Sequence, residues 1–133
     1  MILKITNKVM RDGIVRFAKL NAVDNMSLQL MIFTTDDDAT PKYKYCVKGV
    51  PKEEISFNQI LNLKYDLMNR EAIATPFIQE SLLKLSDEYN CKPSDLLVFI
   101  YSKDKECSDV GLYVYKDKKP VRKMELKELF NTE

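Results

Sequence analysis

Between Thr75 and Phe130 the hydrophobic period of the chain changes from helical to strand-like and back for a closing turn, and that order limits what the chain can fold into. Ile78, Leu82, Leu85 and Tyr89 recur at helical steps with Leu83 beside them, while Gln79, Lys84, Asp87 and Glu88 take the opposite side. Thr75 is a good N-cap and Pro76 suits a first helical position, so the spacing predicts a helix that begins there. Asn90 and Pro93 end it, because a proline pushes the residue before it out of the α region. Leu96–Tyr101 is then a short apolar run rich in β-branched and aromatic residues, read as a buried central strand. Ser94 and Asp95 could also cap a helix at that point. Val110–Lys116 is a second strand, Asp117–Lys119 a turn and Pro120–Met124 a third strand. Glu125–Phe130 forms a closing amphipathic turn that lays Leu126, Leu129 and Phe130 on the sheet.

The preceding residues carry the same two signals in a less regular form. Met1–Thr6 alternates loosely, as a first strand would. In Asn7–Val23, Met10, Ile14 and Phe17 follow helical spacing, although Gly13 opposes a helix by about 1 kcal/mol. Asp12-Gly13 could instead turn a hairpin, so helix and hairpin both stand, with the helix favoured. Asp24–Ser27 reads as a turn, Leu28–Thr34 as a strand and Asp36–Pro41 as a polar loop. Lys42–Lys48 has a clean period of two, with Tyr43, Tyr45 and Val47 on one face and Lys42, Lys44, Cys46 and Lys48 on the other. Lysines on an outer face suit an edge strand. Gly49–Glu54 reads as a linker. Ser56 caps a helix running through Phe57, Ile60, Leu61, Leu63, Lys64, Leu67 and Met68 and closing at Glu71 and Ile73. Ala74–Pro76 separates it from the next helix, and two such neighbours form an antiparallel pair.

The expected fold is α+β: residues 1–133 form a single domain, with an antiparallel or mixed sheet of about five strands and two or three helices packed on one face. No internal repeat and no domain boundary is legible. With 45% hydrophobic and 31% charged residues, the chain has enough apolar material for one core. A formal net charge of +1 gives neither a global basic excess that would favour DNA as a partner nor an acidic excess that would mimic it, and leaves local patches open.

Histidine is absent, which removes the usual general base and the commonest metal ligand. The three glycines, Gly13, Gly49 and Gly111, are too far apart for a phosphate-binding loop. Cys46, Cys91 and Cys107 are odd in number and form no CxxC pair. Met1–Ile5 is too short for a secretory signal, and no apolar run approaches the ~20 residues that cross a membrane. The expectation is a reducing, cytoplasmic setting with no cofactor and no membrane contact. Lysine greatly outnumbers arginine, which occurs only at Arg11, Arg16, Arg70 and Arg122. That is the codon drift of an A/T-rich genome, such as a low-GC bacterium or one of its phages.

Four groups stand out as candidate sites, each with a plainer reading beside it. Asp36, Asp37 and Asp38 could hold a divalent cation in a carboxylate-based enzyme, but consecutive side chains diverge, and a solvated hairpin tip is the simpler account. Glu53 and Glu54, just before a helix, suit its positive end. Cys46 lies on a face with Lys44 and Lys48, which would lower its pKa modestly. The C-terminal hairpin is the most informative. Tyr113 and Tyr115 share a strand face, and Lys116, Lys118, Lys119, Arg122 and Lys123 crowd the adjoining turn. Such a patch could anchor a protein interface or stack the bases of a single-stranded nucleic acid. It could also be the ordinary outer face of a sheet. The leading expectation is a non-enzymatic module for protein interaction or self-association, such as a small structural protein of a phage or mobile element. A nucleic-acid-binding module is the alternative, and a metal-dependent carboxylate enzyme the third reading.

Overall fold

The computed structural model describes residues 6–61 and 70–130. Their order is helix α1 (Asn7–Leu20), strands β1 (Leu28–Phe33), β2 (Lys42–Val47) and β3 (Val50–Ile55), and helices α2 (Phe57–Leu61) and α3 (Arg70–Glu88). Strands β4 (Leu96–Ser102), β5 (Val110–Lys116) and β6 (Lys119–Met124) follow, and helix α4 (Leu126–Phe130) closes the chain. The six strands form one sheet in the order β3-β2-β1-β4-β5-β6, with every neighbouring pair antiparallel. The fold is the expected α+β: the described residues form six strands where about five were expected, and four α-helices where two or three were. The expected first strand at Met1–Thr6 and the helical stripe through Leu63, Lys64, Leu67 and Met68 fall mainly or wholly outside the described residues.

Among the described residues, helices cover one face of the sheet and nothing covers the other. Leu28, Leu30 and Ile32 of β1, Tyr43 of β2, Leu96, Val98 and Ile100 of β4, and Leu112 and Val114 of β5 point inward. There they meet Met10, Ile14 and Phe17 of α1, Phe57, Ile60 and Leu61 of α2, Ile78, Leu82 and Leu85 of α3, and Leu126 and Leu129 of α4. Each fully buried aliphatic or aromatic side chain stabilises by about 1.5–3 kcal/mol. Tyr43 stacks on Phe57 at 4.8 Å between ring centroids, and Tyr45 meets the Phe17 ring edge-on at 5.2 Å.

Several expectations need correction. Asn7–Leu20 is not among them: it is the helix favoured over a hairpin, capped where the Thr6 hydroxyl accepts the Val9 N–H. Gly13 is tolerated because a Cβ there would collide with the Ile60 carbonyl oxygen of α2, so close helix packing offsets its helix propensity. The break at Ala74–Pro76 does not exist, because α3 runs through Pro76. Gly49–Glu54 is no linker: β3 is an edge strand, unreadable as one because all of it but Ile55 is exposed. Glu53 and Glu54 therefore lie in a strand and not at a helix end. The lysine-bearing β2 is not an edge. β4 alternates along its length between buried and half-buried, so only one of its faces is in the core.

The sheet order also shows a repeat that the sequence hides. β1 and β4 pair antiparallel at the centre, and exchanging them exchanges β2 with β5 and β3 with β6. The two halves, α1-β1-β2-β3-α2 and α3-β4-β5-β6-α4, are related by a pseudo-twofold axis normal to the sheet. Leu28 corresponds to Leu96 and Ala39 to Cys107. The second half is one residue longer before β5, so Lys42 corresponds to Gly111 and Pro51 to Pro120. The match extends to backbone detail. Every positive φ among the described residues falls in an equivalent pair: Ala22 (55°) and Asn90 (52°), Ala39 (62°) and Cys107 (55°), Lys48 (51°) and Asp117 (54°), Gly49 (80°) and Lys118 (67°). The last two pairs are the centres of the β2-β3 and β5-β6 turns, where two consecutive left-handed residues match the strand twist. The buried Thr34 and Ser102 hydroxyls donate to the carbonyls of Asp36 and Asp104. The Ser56 N–H donates to the Gln59 side chain as the Glu125 N–H does to Glu128. Both outer strand pairs carry a register shift at the same place. Arg16 of α1 donates to the Ile60 carbonyl of α2, and Ser81 of α3 to the equivalent Leu129 carbonyl of α4.

Candidate functional site

Strand alternation decides what the uncovered face presents. With Leu30, Ile32, Val98, Ile100, Leu112 and Val114 inward, the residues between them must point out. One row crosses all six strands in register: Glu54 of β3, Lys44 of β2, Met31 of β1, Phe99 of β4, Tyr113 of β5 and Lys123 of β6. On one side of this row lie Lys42, Phe33, Leu97 and Tyr115, and on the other Cys46, Gln29, Tyr101 and Gly111. The centre is apolar and aromatic, and the flanks are charged. Met31 is 7% exposed, roofed by its larger neighbours, and Cys46 is fully buried beneath the same surface.

The aromatic side chains hold one another. Tyr101 and Tyr113 stack at 5.3 Å, Phe99 meets the edge of Tyr115 at 5.0 Å, and the Lys44 ammonium lies 5.2 Å from the centre of the Phe33 ring. Gly111 leaves the room that the Tyr101 hydroxyl occupies, since a Cβ there would lie 2.6 Å from it. Burial, reinforced by the adjoining Tyr113, pushes the Tyr101 phenol up to about 12 from its ordinary 10.0. A shallow depression of ≈ 450 Å³ runs over Phe99, Tyr101, Tyr113 and Tyr115 towards Gln29 and Met26.

The candidate residues of the C-terminal hairpin divide between the two faces. Tyr113, Tyr115 and Lys123 are on the open face, and Lys118 and Lys119 are exposed at and beside the β5-β6 turn. Lys116 and Arg122 point the other way. The Lys116 ammonium donates to the Tyr89 carbonyl at 3.1 Å. The Arg122 guanidinium donates to both Glu88 carboxylate oxygens at 2.8 and 3.0 Å and lies 3.8 Å from Glu128. The single cationic cluster expected from sequence is therefore not formed. The residues that sequence reading missed are Met31, Phe33, Phe99, Tyr101, Lys44 and Glu54. For Phe99 and Tyr101, and for Met31 and Phe33, the signal was the alternation within β4 and β1, masked by residues that are apolar on both faces; the period of two in Lys42–Lys48 set the face of Lys44, and β3 offered no such signal for Glu54.

The other candidates carry less. Asp36, Asp37 and Asp38 are exposed, and the Asp38 carboxylate accepts the Thr40 hydroxyl and N–H, which lowers its pKa. Among the described residues no group of three or more Cys, Asp or Glu side chains is arranged to hold a metal ion. Cys46 departs from expectation: burial raises its pKa, and the opposing pull of Lys44 is the smaller effect. Burial also raises the thiols of Cys91 and Cys107. Among the described residues no helix is long and apolar enough to cross a membrane. Compared with protein-family models, curated proteins and solved structures, the chain matches none.

Proposed function

We propose that this chain is a non-catalytic protein-interaction module and that the open face of its sheet is the binding surface. The observation that carries this reading is the difference between the two halves at equivalent outward positions. The first half has Met31, Lys44 and Cys46 where the second has Phe99, Tyr113 and Tyr115. The same backbone accommodates a lysine and a cysteine at two of these positions, so architecture does not require the tyrosines there. Large, stiff, amphipathic rings gathered at the centre of a face and rimmed by charge are the composition of a protein interface.

The alternative, a single-stranded nucleic acid, loses support from Lys116 and Arg122. Arg122, the cation best shaped for phosphate, is engaged by two glutamates on the helical side. The rings are also turned against one another rather than left as separate stacking platforms.

Site-specific photo-crosslinking in cells that natively make the chain tests the proposal. A photoreactive residue replacing Tyr115 is expected to yield a polypeptide adduct. The adduct should be lost on adding Tyr113→Lys and absent when the probe replaces Leu83, exposed on α3. A nuclease-sensitive adduct, no adduct at 115, or equal adducts at both positions would overturn it.

A further inference from the structure

We infer that the occupant of the open face is a second copy of this chain, laid face to face about a twofold axis parallel to the strands and passing over the β1-β4 junction. This rests on the reading of that face as a protein-binding surface and names its partner. The central row reads Glu54, Lys44, Met31, Phe99, Tyr113, Lys123 across the sheet. A twofold axis along the strands sets the row against itself in reverse. Glu54 then faces Lys123 of the second copy, Lys44 faces its Tyr113, and Met31 faces its Phe99. Every contact occurs twice, as an isologous interface requires. In the neighbouring row, Lys42 falls over Tyr115 of the second copy. The pairs are an ion pair, cation–aromatic contacts and an apolar centre. Lys44 already makes the second kind of contact within its own chain, over Phe33.

The competing geometries are worse. A twofold axis in the plane but across the strands would set Lys44 on Lys44 and Glu54 on Glu54. Pairing edge to edge is obstructed at both ends of the sheet by Pro51 and Pro120, each of which lacks the N–H a new ladder would need. Six strands ~4.8 Å apart and about 20 Å long give a face of roughly 600 Å² in projection. With side-chain relief added, that approaches the ~800 Å² that each partner contributes to a standard stable interface. The sheets would stack ~10 Å apart, as in a two-layer sandwich.

Reciprocal charge exchange tests this by light scattering. The wild-type chain is expected to have twice its 15.5 kDa mass. Glu54→Lys alone and Lys123→Glu alone should each raise the dimer dissociation constant about tenfold or more, because each places like charges together twice. The two substitutions in one chain should restore association. Residues 54 and 123 lie on opposite edges of their own sheet, five strand spacings or about 24 Å apart, so restoration can come only through a second copy. A monomer persisting into the ~100 μM range, or a double variant no better than the singles while circular dichroism shows intact folding, would overturn the inference. A crosslinked adduct of foreign mass at position 115 with a monomeric chain would overturn self-association and leave the open face standing as an interface. Absence of any adduct there would remove both.

Discussion

Tyr101 shows how much a single side chain owes to its place in the sheet. In sequence it ends an apolar run; in the structure it leans over Gly111 and stacks on Tyr113. Its phenol is pushed up to about 12 by burial and then by Tyr113. A folded-state pKa above the unfolded value favours folding while the phenol is protonated. That contribution is complete below about pH 10 and is lost as the pH rises through about 12. Thermal melts of wild type and Tyr101→Phe across this range should therefore diverge, with the wild type losing more stability above pH 10. Parallel curves would mean that Tyr101 titrates as an ordinary exposed phenol. The same scale explains what was hard to read in the C-terminal hairpin. Lys116 and Arg122 are one and seven residues from Tyr115, and spacing alone groups them with it. Strand alternation sets Lys116 on the side of Leu112 and Val114, the pairing of Arg122 with Val114 sets it there too, and the reach of a long side chain carries both to α3.

At the scale of elements, propensity located most helices and strands but misplaced boundaries where tertiary packing overrode it. Thr75-Pro76 has the character of a helix start, and its equivalent in the other half, Asn7-Lys8, is where α1 begins. In the second half the helix extends back to Arg70, so Pro76 becomes an interior residue. An interior proline gives up one intrahelical hydrogen bond and crowds the preceding turn. Pro76→Ala should raise stability by about 1 kcal/mol or more in denaturant unfolding. A neutral or destabilising result would place Pro76 at a true helix start, where its fixed backbone angle helps. β3 failed to register as a strand for a different reason. Its residues face solvent, carry charge and include Pro51, so no alternation survives to be read. β6 has the same edge position and a proline at the equivalent site, yet it was legible because Val121 and Met124 retain some apolar pattern.

For the whole molecule the organising fact is the pseudo-twofold, and almost none of it was visible in the amino acids. Identity between the halves survives only at Leu28/Leu96, Ile32/Ile100, Asp36/Asp104 and Pro51/Pro120. Elsewhere the core positions agree only in being apolar, which many unrelated residues satisfy. The arrangement predicts a gradient of local stability. Amides of β1, β2, β4 and β5, paired on both sides, should exchange slowest, and those of β3 and β6 fastest, in native-state hydrogen exchange. Protection of β3 or β6 equal to that of β1 would show that the edges are covered, contrary to the face-to-face arrangement.

By itself, the order of residues determined which segments are helical or extended, which side of most elements is apolar, and that the chain builds one α+β core. These properties follow from local periodicity and from glycine and proline chemistry, both of which act within a few residues. Only the tertiary structure decided that β1 meets β4, that Glu54, Lys44, Met31, Phe99, Tyr113 and Lys123 share one row, and that Arg122 and Lys116 leave the open face. Those relations join residues far apart in the chain. They are set by strand register and side-chain packing, and no local pattern encodes either.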